Sequence, residues 1–495
     1  MARVEGPQLI TYADRLAGSI PELAEVMAEE LGGAFAGVHI LPFFTPYDGA
    51  DAGFDPVDHT QVDPRLGAWP DVAVLSGSAT VMADVIVNHV SVESQQFQDV
   101  VARGDASPYA PMFLTMSSLW PDGATEEELA AIYRPRPGLP FTPMVLGGVK
   151  RLVWTTFTPQ QIDLDVRADL TWQYLTDVID ALTGAGVTML RLDAIGYAGK
   201  KAGTSCFMTS DTLAFIQKVR AYAASRGARV LLEIHGHYLQ PIEAARTVDF
   251  VYDFALPPLV IHALTTADAG PLTRWFEVRP PNVVTVLDTH DGIGIVDVGP
   301  AGEKPGLLTA TQLDALVETI HANSGGSSRK ATGAAASNLD LYQVNCTFFD
   351  ALGADERRYA SARAIQLFTP GIPQLYYVGL LAGHNDLELL ARTGVGRDIN
   401  RHYYTRTEVR AAVATPLVRA ILALVRLRRD HPAFTGRFSY ETSGSTLRLA
   451  WAADGARLEL TIELDSGGGV VVGTRADGTE QRADLLDAGA IAALL

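Results

Sequence analysis

Asp193, Glu233 and Asp291 each close a short apolar run, VTMLRLDA, RVLLEIH and VVTVLDTHD. Rich in Val, Leu and Ile, these runs have the pattern of strands buried on both faces, as in a parallel sheet covered by helices. In a parallel barrel every strand C-terminus opens on the same face, so carboxyl groups far apart in sequence can converge there. Converging carboxyl groups are the equipment for cleaving a glycosidic bond through an oxocarbenium-like transition state. The spacing therefore predicts an enzyme acting on sugars.

The elements that must position these residues alternate along the chain. A helical stretch, PELAEVMAEELGG, ends in glycines suited to a helix C-terminus and leads into GVHILPFF (37–44), read as the first strand. VMADVIVNH is the next buried-strand pattern. The expected division is barrel for 1–86, an inserted lobe rich in Pro and aromatic residues for 87–167, and barrel again for 168–291. A second inserted lobe, with small residues that favour a mobile loop, follows over 292–356, then the last part of the barrel over 357–435. From 436 to 495 the apolar period becomes two, with Gly-rich turns, which predicts a small antiparallel β domain.

With 495 residues the chain can bury a large core. A net charge of −18 argues against nucleic-acid or anionic-membrane partners, which need a basic surface. One local arginine can still hold a phosphate on an acidic protein. Cys206 and Cys346 are the only cysteines, too few for a disulfide framework and without zinc spacing. The opening MARVEGPQLITYADR lacks a basic then apolar leader, and no apolar segment approaches membrane-spanning length, so a cytoplasmic protein is expected.

Four short motifs, DVIVNH (84–89), LRLDA (190–194), LLEIH (231–235) and LDTHD (287–291), resemble in order the four signature regions of the α-amylase clan of glycoside hydrolases. HILPFFTPYDGADAGFDPVDHT, IYRPRPGLPF, TPQQIDLD, ATGAAASNLDLYQVN and GRDINRHYY are similar to the sucrose phosphorylase family in particular. The likeness spans the barrel and its insertions and is weakest over the last stretch. It implies a (β/α)8 TIM barrel of the α/β class. The implied chemistry is a retaining double displacement between sucrose and inorganic phosphate that yields glucose 1-phosphate and fructose. No cofactor is implied, and a homodimer is.

Residue by residue, the resemblance implies Asp193 as nucleophile, Glu233 as acid and base, and Asp291 as stabiliser of the positive charge on the sugar ring. Arg191 lies two residues before Asp193, on the same strand face, where its charge would keep the nucleophile ionised. Asp51, His89, His290 and Arg397 would complete a glucose pocket, with Phe54 and Phe157 as apolar walls.

What takes the glucosyl group separates a hydrolase, a transglucosidase and a phosphorylase. Arg136, fixed between two prolines in YRPRPG, is the candidate phosphate ligand, because a guanidinium can bind two phosphate oxygens. By the same resemblance Asp340 and Gln343 would meet fructose, and Leu341 and Tyr342 would approach when their loop rearranges for phosphate. Tyr133, Gln161, Tyr197 and His235 are further acceptor-side candidates.

Two patterns point elsewhere. GIGIVDVG (292–299) follows a strand, but its glycine spacing is wrong for a dinucleotide fingerprint and a Pro-containing loop follows it. The Asp-rich loop 48–58 lacks EF-hand spacing, and no metal is predicted. Sister phosphorylases acting on glucosylglycerol, glucosylglycerate or sucrose 6'-phosphate are the nearest alternatives. A non-catalytic sugar-binding barrel is the alternative of another class, and it would have shown a missing carboxylate.

Overall fold

The computed structural model describes residues 6–134, 138–332, 343–453, 455–475 and 478–495. Eight parallel strands close into a barrel: β1 (Gln8–Thr11), β2 (Gly37–Ile40), β3 (Thr80–Ile86), β4 (Met189–Asp193), β5 (Arg229–Leu232), β6 (Phe250–Asp253), β7 (Val283–Thr285) and β8 (Ile372–Tyr376). Neighbours in the barrel are neighbours in the chain, and β8 closes on β1. Helices that include Ile20–Ala28, Asp169–Gly184, Ser210–Ser225 and Glu356–Phe368 lie between the strands. The parallel barrel expected from the apolar runs is borne out.

One element was misread. GVHILPFF supplies the second strand, not the first, and only as far as Ile40. The first is QLIT, too short and too polar to show an apolar run. Its polarity has a physical use. Gln374 on β8 donates to the side-chain carbonyl of Gln8 at 2.9 Å, which satisfies two buried amides inside the barrel.

Strand alternation explains how β4 serves two masters. Leu190 and Leu192 point outward into the helix layer and are fully buried there, each contributing about 1.5–3 kcal/mol. Met189, Arg191 and Asp193 alternate with them and point into the barrel. Met189 joins Met82, Leu231, Tyr252, Val284 and Ile372 in an apolar floor. Arg191 pairs in register with Asp84 of β3 and Leu231 of β5 above that floor, and Asp193 caps the strand. Apolar floor, charged middle and acidic rim thus follow from one alternating pentapeptide.

Beyond the barrel, five antiparallel strands follow in chain order: β9 (Arg437–Ser443), β10 (Thr446–Ala453), β11 (Ala456–Glu463), β12 (Gly468–Arg475) and β13 (Glu480–Asp484). The sheet is anchored to the barrel layer where the Trp451 indole donates to the carbonyl of Phe368 at 2.6 Å. No helix among the described residues is long and apolar enough to cross a membrane.

Candidate active site

At the C-terminal mouth of the barrel, a cavity is lined by Asp193, Glu233 and Asp291 together with Asp51, Phe54, His89, Phe157, His290 and Arg397. Tyr133, Tyr197, His235 and Gln343 line it from the other side, with Phe207, which the sequence reading missed. Arg191 lies just beneath, buried at 2 % exposure.

Arg191 is the hub. One guanidinium contacts Asp84, lies 2.8 Å from Asp193 Oδ1 and 2.9 Å from Glu233 Oε1. Such a bridge keeps the two carboxyl groups adjacent. A charge buried this deeply is tolerated only when partners surround it. Asp84 is itself held by His39 at 2.9 Å, and Arg191 and His39 overcome its burial and depress its pKa to about 2.

Asp193 behaves differently. Burial and the facing Glu233 carboxylate push it well above the usual carboxylate range, against the pull of Arg191. Arg191, expected to keep Asp193 ionised, is divided among three acids, and its pull on Asp193 is opposed by burial and by Glu233. The backbone reinforces the pair: Ala194, in a left-handed conformation at φ 51°, donates its N–H to Glu233 Oε2 at 2.9 Å. That conformation costs a residue with a Cβ about 1 kcal/mol or more, and such strain clusters where a side chain must be aimed.

Asp291 stands apart from that pair electrostatically. Burial would raise it, but Arg397, 3.0 Å from Oδ1, holds it far below the carboxylate range. Arg397 also reaches Asp51 at 3.4 Å, and Gln161 donates to Asp51 Oδ2 at 2.7 Å. Gln161, expected on the acceptor side, is instead fully buried behind Asp51. His290 stacks on Phe54 at 4.6 Å, and burial lowers its pKa to about 3, leaving a neutral ring at the cavity wall. His89 Nε2 donates to the Phe54 carbonyl at 2.8 Å, so its ring is fixed. Phe157 meets His89 edge-on at 5.5 Å.

The opposite wall is aromatic. Tyr133, Tyr197 and Phe207 form a cluster with ring centroids 4.5–6.1 Å apart, and Phe157 joins it at 5.2 Å from Tyr197. Arg136, Asp340, Leu341 and Tyr342 lie outside the described residues. Sequence reading also passed over Lys200 and Asp163. The buried Lys200 ammonium contacts Asp163 and donates to Asn88 Oδ1 at 2.5 Å, fixing the residue before His89. A signal existed in TPQQIDLD, but nothing in the sequence joined it to a lysine downstream.

Buried carboxyl groups around a shared guanidinium thus sit at the mouth of a parallel barrel. Residues 29–254 match the family model described as the alpha amylase catalytic domain. The chain is 54% identical to a sucrose phosphorylase of Bifidobacterium adolescentis over 94% of its length and 93% of that protein. It is 55% identical to a sucrose phosphorylase of Agrobacterium vitis, covering 93% and 95% of the two chains. The chain belongs to the sucrose phosphorylase family. A crystal structure of sucrose 6F-phosphate phosphorylase from Thermoanaerobacter thermosaccharolyticum superposes with a TM-score of 0.89 at 36% identity, covering 98% of each chain. The sucrose phosphorylase family therefore accounts for the barrel, its insertions and the appended sheet together.

Proposed function

We propose that the protein is a sucrose phosphorylase that converts sucrose and inorganic phosphate reversibly into α-D-glucose 1-phosphate and D-fructose. The observation that carries this reading is the Arg191 bridge, which sets Asp193 and Glu233 side by side in one cavity. Adjacent carboxyl groups leave no room for an attacking water between them and favour a covalent intermediate. Two relatives that match along nearly the whole chain carry the activity in their names.

In the first step Asp193 attacks the anomeric carbon of the glucosyl unit, and the bond to the fructosyl oxygen breaks. Glu233, as the acid, gives that oxygen its proton, and fructose leaves. A phosphate oxygen then attacks the same carbon while Glu233 takes back a proton from the phosphate, the bond to Asp193 breaks, and two inversions restore the α configuration. Asp291, kept anionic by Arg397, stabilises positive charge on the ring in both steps. Asp51, His89, His290 and Arg397 hold the glucosyl unit between the Phe54 and Phe157 walls. The fructose or phosphate side falls to Tyr133, Tyr197, His235 and Gln343, with Arg136, Asp340, Leu341 and Tyr342 as further ligands by family pattern.

We assign the acceptor side to the inserted segments 87–167 and 292–356 together with the turns after β4 and β5 that carry Tyr197 and His235, within the division into barrel, lobes and C-terminal sheet given above. The same reading includes a cytoplasmic homodimer, which light scattering tests. Purified protein incubated with sucrose and phosphate should form α-glucose 1-phosphate, seen by ³¹P and ¹H NMR. An active enzyme that releases glucose at the same rate with and without phosphate would reject phosphorolysis. Strong preference for glucosylglycerol, glucosylglycerate or sucrose 6'-phosphate in the same assay would move the protein to a sister activity.

A further inference from the structure

The GIGIVDVG segment, unsuited to nucleotide binding, has another use. Its Ile293–Gly294 pair forms a short antiparallel ladder with Gln343–Val344, where the chain leaves the acceptor loop. Four residues on from Ile293, Asp297 is almost completely buried at 2 % exposure. Its Oδ2 lies 3.4 Å from His235 Nδ1, and its Oδ1 accepts the Gly236 N–H at 3.2 Å. His235 is further clamped by stacking on Phe254 at 4.0 Å, with rings 13° from parallel.

The glycines explain themselves in this setting. A Cβ on Gly294 would stand 2.4 Å from Asp297 Oδ2, and one on Gly292 would stand 2.7 Å from Asn345 Oδ1 and 2.9 Å from the Val344 carbonyl. The spacing that failed as a phosphate-binding fingerprint is the spacing that lets Asp297 reach a histidine.

We propose that Asp297 is a positioning residue for the acceptor half-reaction: it accepts Nδ1–H of His235 and supports the imidazolium form, whose Nε2–H then donates to an anionic acceptor oxygen beside Glu233. This rests on the phosphorolysis proposed above. Nε2 is 3.9 Å from Glu233 Oε1 and 3.5 Å from the Gln343 amide, at the junction of the catalytic pair and the acceptor wall. The groups facing the ring are Asp297 from the loop after β7, Glu233 at the end of β5, and Asp291 ahead of that loop. Tyr133 and Arg397 line the same cavity. Burial would lower the His235 pKa, but Asp297, then Glu233 and Asp291, raise it above the ordinary histidine value. The ring is thus a cation below that raised pKa and loses its charge as pH rises through it.

Asp297→Asn keeps the shape and removes the charge. Its KM for phosphate should rise about tenfold, the scale of one charge-assisted hydrogen bond, with a smaller change in KM for sucrose. The alkaline limb of phosphate-dependent turnover should move to lower pH, which a purely structural role would not produce. Gly294→Ala, which crowds Asp297 Oδ2, should reproduce both effects. An unchanged phosphate KM and an unmoved alkaline limb in a folded Asp297→Asn protein would overturn the proposal. Should that variant not fold, ¹⁵N-histidine NMR of the unmodified protein, with His235 assigned by His235→Gln, decides. Titration above the ordinary histidine range supports the pairing, and titration below it refutes the pairing. A protein that hydrolyses sucrose but ignores phosphate would end the phosphorolysis reading, whereas the NMR titration still answers for Asp297 and His235.

Discussion

The two halves of the cavity are built on different principles. On the glucose side, Arg191 and the three catalytic carboxylates hang from or follow barrel strands, and the wall is cross-linked by charge: Arg191 to three acids, Arg397 to Asp291 and Asp51. On the acceptor side, Tyr133, Tyr197, His235 and Gln343 come from loops and a two-residue ladder, and aromatic contacts dominate. Strands fixed by a closed barrel hold the groups whose geometry the bond cleavage cannot relax. Loops hold the groups that, in the proposed reaction, would accommodate fructose in one step and phosphate in the next. The contrast teaches that the reaction and the choice of acceptor are separately adjustable in this fold.

Breaking the glucose side should have the largest effect. Asp193→Ala should reduce turnover with phosphate and with water alike, on the order of 10⁴-fold, because both acceptors need the same intermediate. Steady-state rates with and without phosphate check this, and a loss confined to one acceptor would contradict it. Glu233→Gln should be nearly as damaging with sucrose, but less so with a glucosyl donor whose leaving group needs no proton, such as α-glucosyl fluoride. Equal losses on both donors would count against Glu233 as the acid.

An acceptor-side change should be milder and selective. Gln343→Ala removes the acceptor of the Gly292 N–H and a neighbour of His235. It should lower phosphate use about tenfold and raise the ratio of hydrolysis to phosphorolysis, measured as free glucose against glucose 1-phosphate. A parallel fall in both products would erase the distinction between the two halves.

The smallest effect concerns Asp55, packed behind Asp51. Burial, then the Asp51 charge, raise its pKa to about 7. Its folded value exceeds the unfolded one, so the folded state keeps a proton that the unfolded state has lost, and stability falls as pH rises between those values. Asp55→Asn should therefore raise Tm above pH 7, with the gain shrinking as pH approaches 4. Calorimetry across that range tests it, and a gain independent of pH would refute the assignment.

The glucose side was far more legible in the sequence than the acceptor side, for a physical reason. MLRLD announces itself because alternation writes burial and chemistry into one pentapeptide. Asp51, His89, His290 and Arg397 were reached through motifs that surround them, and the structure gathers them around one cavity. Pairings between remote segments leave no local trace. Lys200 with Asp163 and Arg397 with Asp51 are invisible until the barrel closes. Asp297 sat inside a motif that was weighed only for nucleotides, and TPQQIDLD says nothing of the bond between Gln161 and Asp51. QLIT failed as a strand because Gln8 turns its amide into the barrel interior and interrupts the apolar run.

The central claim is that Asp193 carries the glucosyl group between two acceptors. Glu233→Gln protein should be mixed with α-glucosyl fluoride, quenched in acid within seconds and digested for peptide mass spectrometry. The account predicts one hexosyl unit on the peptide containing Asp193, released when phosphate is added before the quench. Product formation without any such adduct, or a hexosyl unit attached at another residue, would contradict it.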